Sequence, residues 1–378
     1  LKGKRCGLLC HAASVTPEYR HALSVLKDKS DIEIAAVFGP QHGIFGQTQD
    51  NMIEWRGGFL DPVFNLKVYS LYGDVRKPSD SMLEGLDLLL IDIQDVGARP
   101  YTYIWTMKLC MEACAEKGLG VCVLDRPNPV SELQADGPLL RSEYFSFVGG
   151  ASIPMCHRMT PGEIALLLKE TCFTALDFKV MWMEDWERGQ PFESTGLPWI
   201  LPSPNMPWIT TAFVYPGTVL LEATNVSEGR GTTRPFEFAG APWIDISGLM
   251  AYFRSNQMSG CVVRRHDFIP AFQKWSGKYC YGFQIHVTDP SVFRPVRAAA
   301  EIIRGITEVS DRGFEFKDPP YEYEYTRMPF DILSGDTRLR DALMNNEDLR
   351  LLFEEWDEET AFFSKEAASY LYYSGSLA

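Results

Sequence analysis

Residues 86–93 read LDLLLIDI, and no other run constrains the fold of this chain as tightly. A half-exposed strand alternates apolar and polar side chains, and an amphipathic helix repeats its apolar positions every three or four residues. A run of almost pure Leu, Ile and Asp fits a strand buried on both faces of a parallel sheet. The neighbouring segments agree with that reading. Residues 6–10, 32–38, 68–71 and 120–124 are short apolar runs that read as strands. Residues 16–27, with Pro17 at the first position, and residues 101–117, ended by Gly118, read as helices. Thr160-Pro161-Gly162-Glu163 is a capping-box start for a helix over 163–170, and a strand follows at 178–183. Strands alternating with helices predict an α/β protein with a Rossmann-like, doubly wound, mostly parallel sheet.

The chain has 378 residues, which suits two domains. Residues 191–216, rich in Pro, Trp and Ser, read as an ordered irregular loop. After residue 243 the pattern changes. Residues 261–268 and 279–288 alternate like half-exposed strands, and 293–309 and 346–373 read as helices. The expected division is a Rossmann-like catalytic domain over 1–243 and a smaller α+β C-terminal domain over 244–378 that completes a cleft.

Charge removes several classes of function. A net charge of −14 disfavours nucleic acid and anionic membranes as partners, since phosphate binding needs clustered Lys and Arg. No apolar run is long enough to span a bilayer. The G-x-G-x-x-G dinucleotide fingerprint is missing after the first strand, where Cys10-His11-Ala12-Ala13-Ser14 stands, and there is no P-loop. A nucleotide-dependent enzyme is therefore the weakest reading. No His or Cys spacing completes a zinc site, so neither a metal nor a cofactor is expected, with Mg²⁺ on strand-end Asp residues as the remaining option. The 9 cysteines are odd in number and form no dense framework. They point to buried thiols and a cytoplasmic compartment; the alternative is a periplasmic or secreted protein whose signal peptide has been trimmed.

Open α/β sheets bind ligands beyond the carboxyl ends of their strands. Three polar clusters fall there: Gly39-Pro40-Gln41-His42-Gly43, Gln94-Asp95-Val96-Gly97-Ala98-Arg99 and Asp125-Arg126-Pro127-Asn128-Pro129. Each also has a purely structural explanation. His42 can serve a turn, Asp92 and Asp95 can cap a helix or pair with Arg99, and Asp125 can pair with Arg126. A further cluster lies in 215–243, where Glu222 precedes Thr224, Asn225 and Ser227, and Gly229-Arg230-Gly231-Thr232 offers a guanidinium, backbone N–H groups and a hydroxyl that can hold a carboxylate or phosphate. A hairpin with polar surface residues is the alternative there. The loop LPSPNMP at 201–207 adds Ser203 and Asn205. Aromatic residues make up 13% of the chain, and they serve core filling, sugar stacking or both.

Several long motifs occur in one order: FGPQHGIFG at 38–46, DIQDVGARPYTYIWT at 92–106, VLDRPNP at 123–129, MTPGE at 159–163, LPSPNMP at 201–207 and the 215–243 segment. On these the chain resembles the exo-β-N-acetylmuramidase (NamZ-like) family, formerly a domain of unknown function. The resemblance covers most of residues 1–243 and thins beyond. It implies a Rossmann-like domain joined to a smaller one across a cleft. It also implies a glycosidase that removes N-acetylmuramic acid from non-reducing ends of peptidoglycan, the sugar's lactyl carboxylate suiting Arg230 or Arg126. The family motif has a glutamate where this chain has Gln41, which cannot exchange a proton at neutral pH. Glycoside hydrolysis usually needs two carboxyls. The expected catalytic set is accordingly Gln41, His42, Asp95, Asp125 and Glu222 around one anomeric centre. The expected binding set is Asp92, Gln94, Arg99, Tyr101, Arg126, Asn128, Ser203, Asn205, Thr224, Asn225, Ser227, Arg230 and Thr232. The alternative is a non-catalytic carbohydrate-binding protein. The partner in either case is a cell-wall sugar or oligosaccharide.

Overall fold

The structure, a computed structural model, describes residues 2–29, 31–50, 52–310, 313–375 and 377. Strands β1 (Arg5–Leu9), β2 (Glu33–Gly39), β3 (Phe59–Leu60), β4 (Lys67–Ser70), β5 (Leu88–Ile91) and β6 (Gly120–Leu124) lie in the N-terminal part. Strands β7 (Asp136–Leu139) and β8 (Pro154–Cys156) pair as a short antiparallel ribbon, and β9 (Phe178–Met181) returns to the main sheet. That sheet has seven strands in the order β3-β4-β2-β1-β5-β6-β9. All neighbours are parallel except the edge strand β3. The β5 strand sits between β1 and β6 with Leu89, Leu90 and Ile91 completely buried, as its composition requires.

Helices α1 (Ala22–Lys27), α2 (Tyr103–Lys117) and α3 (Pro161–Cys172) connect these strands. Gly118 ends α2 in the left-handed conformation, at φ 69°. Thr160 and Glu163 make the reciprocal capping box of α3, with Pro161 in its first turn. The expected helix over 16–27 is shorter than its pattern suggested. Tyr19 adopts φ 62°, which no α-helix accommodates, and Thr16 N–H instead donates to Arg20 O. The helix begins only after His21, whose ring nitrogen accepts from Leu23 N–H.

Helix α4 (Ile209–Thr218) begins inside the stretch expected to be irregular. Residues 211–218 are all buried, so no amphipathic period marks it in the sequence. Then follow β10 (Phe238–Ala241), α5 (Ile246–Ser255), β11 (Cys261–Arg265), β12 (Tyr281–Val287), α6 (Pro295–Val309), α7 (Pro329–Ser334), α8 (Arg338–Met344) and α9 (Leu349–Ala367). The second sheet is antiparallel with order β10-β12-β11, so residues 238–241 join strands that lie beyond 243. One hydrophobic cluster runs from Leu9 through Leu220 and Ile303 to Leu377, and a second gathers Cys6, Leu8, Val37, Val68 and Leu90. Close approach is built into the first: a Cβ on Gly217 of α4 would lie 1.9 Å from Pro295 O at the start of α6. No helix among the described residues is long and apolar enough to cross a membrane.

Candidate active site

The carboxyl end of β2 delivers Gln41 and His42, and that of the adjacent β4 leads to Tyr72. Thr102, at the N-terminus of α2, uses its hydroxyl on neighbouring chain rather than on its own helix: it donates to Gln41 Oε1 at 2.7 Å. This fixes the Gln41 amide so that Nε2 faces Glu322 Oε1 at 3.4 Å. Tyr103 donates to Pro202 O at 2.6 Å and pins the loop that carries Ser203 and Asn205. Asn205 is held in turn by donating to Gln49 O at 2.7 Å.

The other wall comes from beyond residue 215. Glu222 lies on the short 3₁₀ helix Val219–Ala223 that follows α4. Its Oε1 pairs with Arg230 Nη2 at 2.8 Å, and its Oε2 accepts from Tyr321 O–H at 2.7 Å. Arg230 stands between Gly229 and Gly231, at φ 77° and 81°, where β-carbons would strike Phe238 O and Phe272 O at 2.6 Å. Glu322 projects from the turn Tyr321–Glu324, whose end residues exchange two 2.9 Å backbone hydrogen bonds. Glu322 and Tyr323 both sit in the left-handed region of that turn, at φ 44° and 68°.

These segments enclose a narrow cavity of about 40 Å³ lined by polar Gln41, His42, Ser203, Asn205, Glu222, Arg230 and Glu322 and by aromatic Tyr101, Tyr215, Phe236 and Tyr321. The residues are close to fully buried, Glu222 at 5% and Glu322 at 4% exposure. Burial pushes the Glu322 carboxyl up to about 7, and the neighbouring Glu222 charge adds to that, against hydrogen bonds from Tyr72 and Gln41 and the field of Arg76. Burial also holds His42 neutral, down to about 4, with Arg230 contributing. Its Nδ1 faces Thr48 O at 2.7 Å and so carries the proton. Burial opposes the charge of Arg230, but Glu222, Glu228 and Asp50 outweigh it and raise its pKa. Lys274 completes the cluster through Glu228 at 2.7 Å.

Seven of the residues anticipated from sequence share this cavity: Gln41, His42, Tyr101, Ser203, Asn205, Glu222 and Arg230. The rest stand outside it, each with structural partners. Asp125 receives hydrogen bonds from Thr160 O–H, Gly162 N–H and Tyr373 O–H, anchoring α3. Asp95 accepts from Gly97 N–H at 2.7 Å and lies 3.4 Å from His157. Asp92 is ion-paired with Arg126, which also donates to Val15 O, so neither guanidinium expected to meet a lactyl carboxylate is free of acidic partners. Gln94 donates to Asp95 O and Pro127 O. Arg99 spends its donors on the carbonyls of Pro138, Ile153, Leu333 and Ser334. Asn128 spans Met159 O and Val130 N–H. Thr224, Asn225, Ser227 and Thr232 close local turns and loop contacts with Leu221 O, Gly313 O, Gly229 N–H and Gly229 O respectively. Glu322 and its neighbour Tyr321 escaped the sequence reading. Their signal is the acid–aromatic alternation YEYEY at 321–325 after Pro319-Pro320.

A family model described as exo-beta-N-acetylmuramidase NamZ, N-terminal, matches residues 6–210, and its C-terminal counterpart matches 213–373. The chain belongs to the exo-β-N-acetylmuramidase NamZ family. It is 40% identical over 373 residues to the peptidoglycan β-N-acetylmuramidase NamZ of Bacillus subtilis (strain 168), covering 99% of this chain and 88% of that protein. Crystal structures of two DUF1343 family proteins from Bacteroides fragilis superpose with TM-scores of 0.87 and 0.77, at 29% and 28% identity. Each comparison covers 99% of this chain and 95% of the other. Both NamZ segments supply the cavity, Gln41 and His42 from the first and Glu222, Arg230 and Glu322 from the second.

Proposed function

We propose that this chain is an exo-acting glycoside hydrolase that removes N-acetylmuramic acid from the non-reducing ends of peptidoglycan fragments. The observation that carries the reading is the pair Glu222 and Glu322 on one buried cavity. Hydrolysis of a glycoside by the common route needs two carboxyls, and the expected shortfall at Gln41 is met from elsewhere in the chain. The cavity's aromatic walls suit the C–H face of a pyranose, while Ser203 and Asn205 provide neutral hydrogen-bonding groups. Membership of the NamZ family, and the activity named for the Bacillus subtilis relative, support the same substrate. A purely sugar-binding role has less support, because it gives the buried Glu322 carboxyl, which no cation pairs among the described residues, no task.

The test is release of muramic acid from a disaccharide with N-acetylmuramic acid at its non-reducing end, followed by chromatography. Free N-acetylmuramic acid is expected. Folded protein that binds the disaccharide and leaves it intact sinks the hydrolase reading.

A further inference from the structure

We infer that Glu322 is the proton donor to the leaving oxygen, with Gln41 and Tyr72 as its positioning residues. This deepens the hydrolase reading above and rests on it. The two carboxyls of the cavity have different surroundings. Glu222 is held by a guanidinium at 2.8 Å and a phenol at 2.7 Å. Glu322 has no cation within ion-pairing distance among the described residues. Tyr72 O–H donates to its Oε2 at 2.8 Å, and the Gln41 amide reaches Oε1 at a long 3.4 Å. Tyr72 itself accepts from Met52 N–H at 2.9 Å, so its own proton is committed to Glu322. The charged and titratable groups around the carboxyl are Glu222, Arg76, Tyr72, Tyr215, Tyr321 and Tyr323. The Arg76 guanidinium is stacked 3.4 Å over the Tyr323 ring and lies 5.3 Å from the centre of the Tyr72 ring. The two carboxyls thus have different partners: a guanidinium and a phenol hold Glu222, whereas a phenol and a neutral amide hold Glu322.

The turn that presents Glu322 supports a dedicated role. Two consecutive non-glycine residues in the left-handed region cost energy that surrounding structure must offset, and such strain concentrates at functional sites. Gln41 cannot titrate. It donates from a fixed direction because Thr102 holds its carbonyl oxygen.

In the reaction, protonated Glu322 transfers its proton to the glycosidic oxygen. The bond from that oxygen to the anomeric carbon breaks, and the bonding pair leaves on the oxygen. The Glu222 carboxylate faces the positive charge that develops on the sugar. Water adds to the anomeric carbon and loses one proton, which restores the Glu322 carboxyl.

The experiment compares leaving groups. A 2,4-dinitrophenyl glycoside of N-acetylmuramic acid departs without protonation, whereas a sugar leaving group needs it. Glu322→Gln is expected to lose roughly 10²–10⁴-fold on the disaccharide and far less on the dinitrophenyl substrate. Equal losses on both, or no loss, overturn the assignment while leaving the hydrolase reading intact. Wild-type protein inert on both substrates overturns the parent reading instead. Should Glu322→Gln fail to fold, Tyr72→Phe gives the second readout. Loss of a donor to the carboxylate is expected to move the alkaline limb of kcat/KM to higher pH, and an unmoved limb overturns the proposal.

Discussion

The Glu222 carboxylate and the Arg230 guanidinium meet at 2.8 Å inside the cavity, with the charge of Arg230 shared further with Glu228 at 3.1 Å. The Glu222 carboxyl is therefore part of a buried ionic cluster, and altering it touches stability.

Glu222→Gln removes the anion while keeping size and hydrogen bonding. Activity on the disaccharide is expected to fall roughly 10²–10⁴-fold. In contrast with Glu322→Gln, the loss should be as large on the dinitrophenyl substrate, because the stabilised charge lies on the sugar and not on the leaving group. Steady-state kinetics on both substrates check this.

Arg230→Met strands Glu222 and Glu228 without their shared cation, leaving Lys274 to Glu228 alone. Removing one partner of a buried ion pair costs about 3–5 kcal/mol. Urea unfolding should show an unfolding free energy lower by that amount and a correspondingly lower midpoint. An unchanged midpoint would mean that water already reaches the cluster.

The strand pattern was largely legible in the sequence, and the site only in part. β6 at Gly120–Leu124 matches its apolar run end to end, and β5 sits where LDLLLIDI demands. Burial on both faces leaves a compositional trace that needs no tertiary information. The polar clusters follow the carboxyl ends of the parallel strands β2, β5 and β6, but position at a strand end does not say which side chains face a ligand. Asp92 and Arg126 satisfy each other, Asp125 caps a helix, and Arg99 serves four carbonyls. Gln41 and His42 face the cavity because β2 and β4 carry it to one side of the sheet. Glu322 was hidden because its orientation depends on two left-handed residues that YEYEY does not advertise, and on a fold that returns a distant segment to β2.

Asp125 gives a pH-dependent stability of definite sign. Burial raises its carboxyl to about 7, against hydrogen bonds from Tyr373, Gly162 and Thr160 and with Glu163 adding to the rise. The folded form therefore holds a proton that the unfolded chain releases near pH 4. The stabilisation is fully present below that pH and is lost as pH rises through 7, an effect on the order of 2–4 kcal/mol. Asp125→Asn removes this contribution, so the stability gap between wild type and variant should shrink from pH 4.5 to pH 8. Chemical denaturation across that range measures it, and a gap independent of pH contradicts the raised carboxyl.

Arg99→Met takes a donor from four buried carbonyls, of which Ile153 O keeps Leu140 N–H, and each group left unsatisfied costs about 1–3 kcal/mol. Thermal unfolding should fall steeply. The protein still folded at low temperature should retain wild-type KM, because the side chain lies outside the cavity.

Gln41 and Glu322 share a hydrogen bond across 281 positions of sequence. A chain that ends before Glu322 therefore lacks one of the two cavity carboxyls and also the buried residues, Phe330, Trp356 and Leu377 among them, that share a hydrophobic cluster with the sheet.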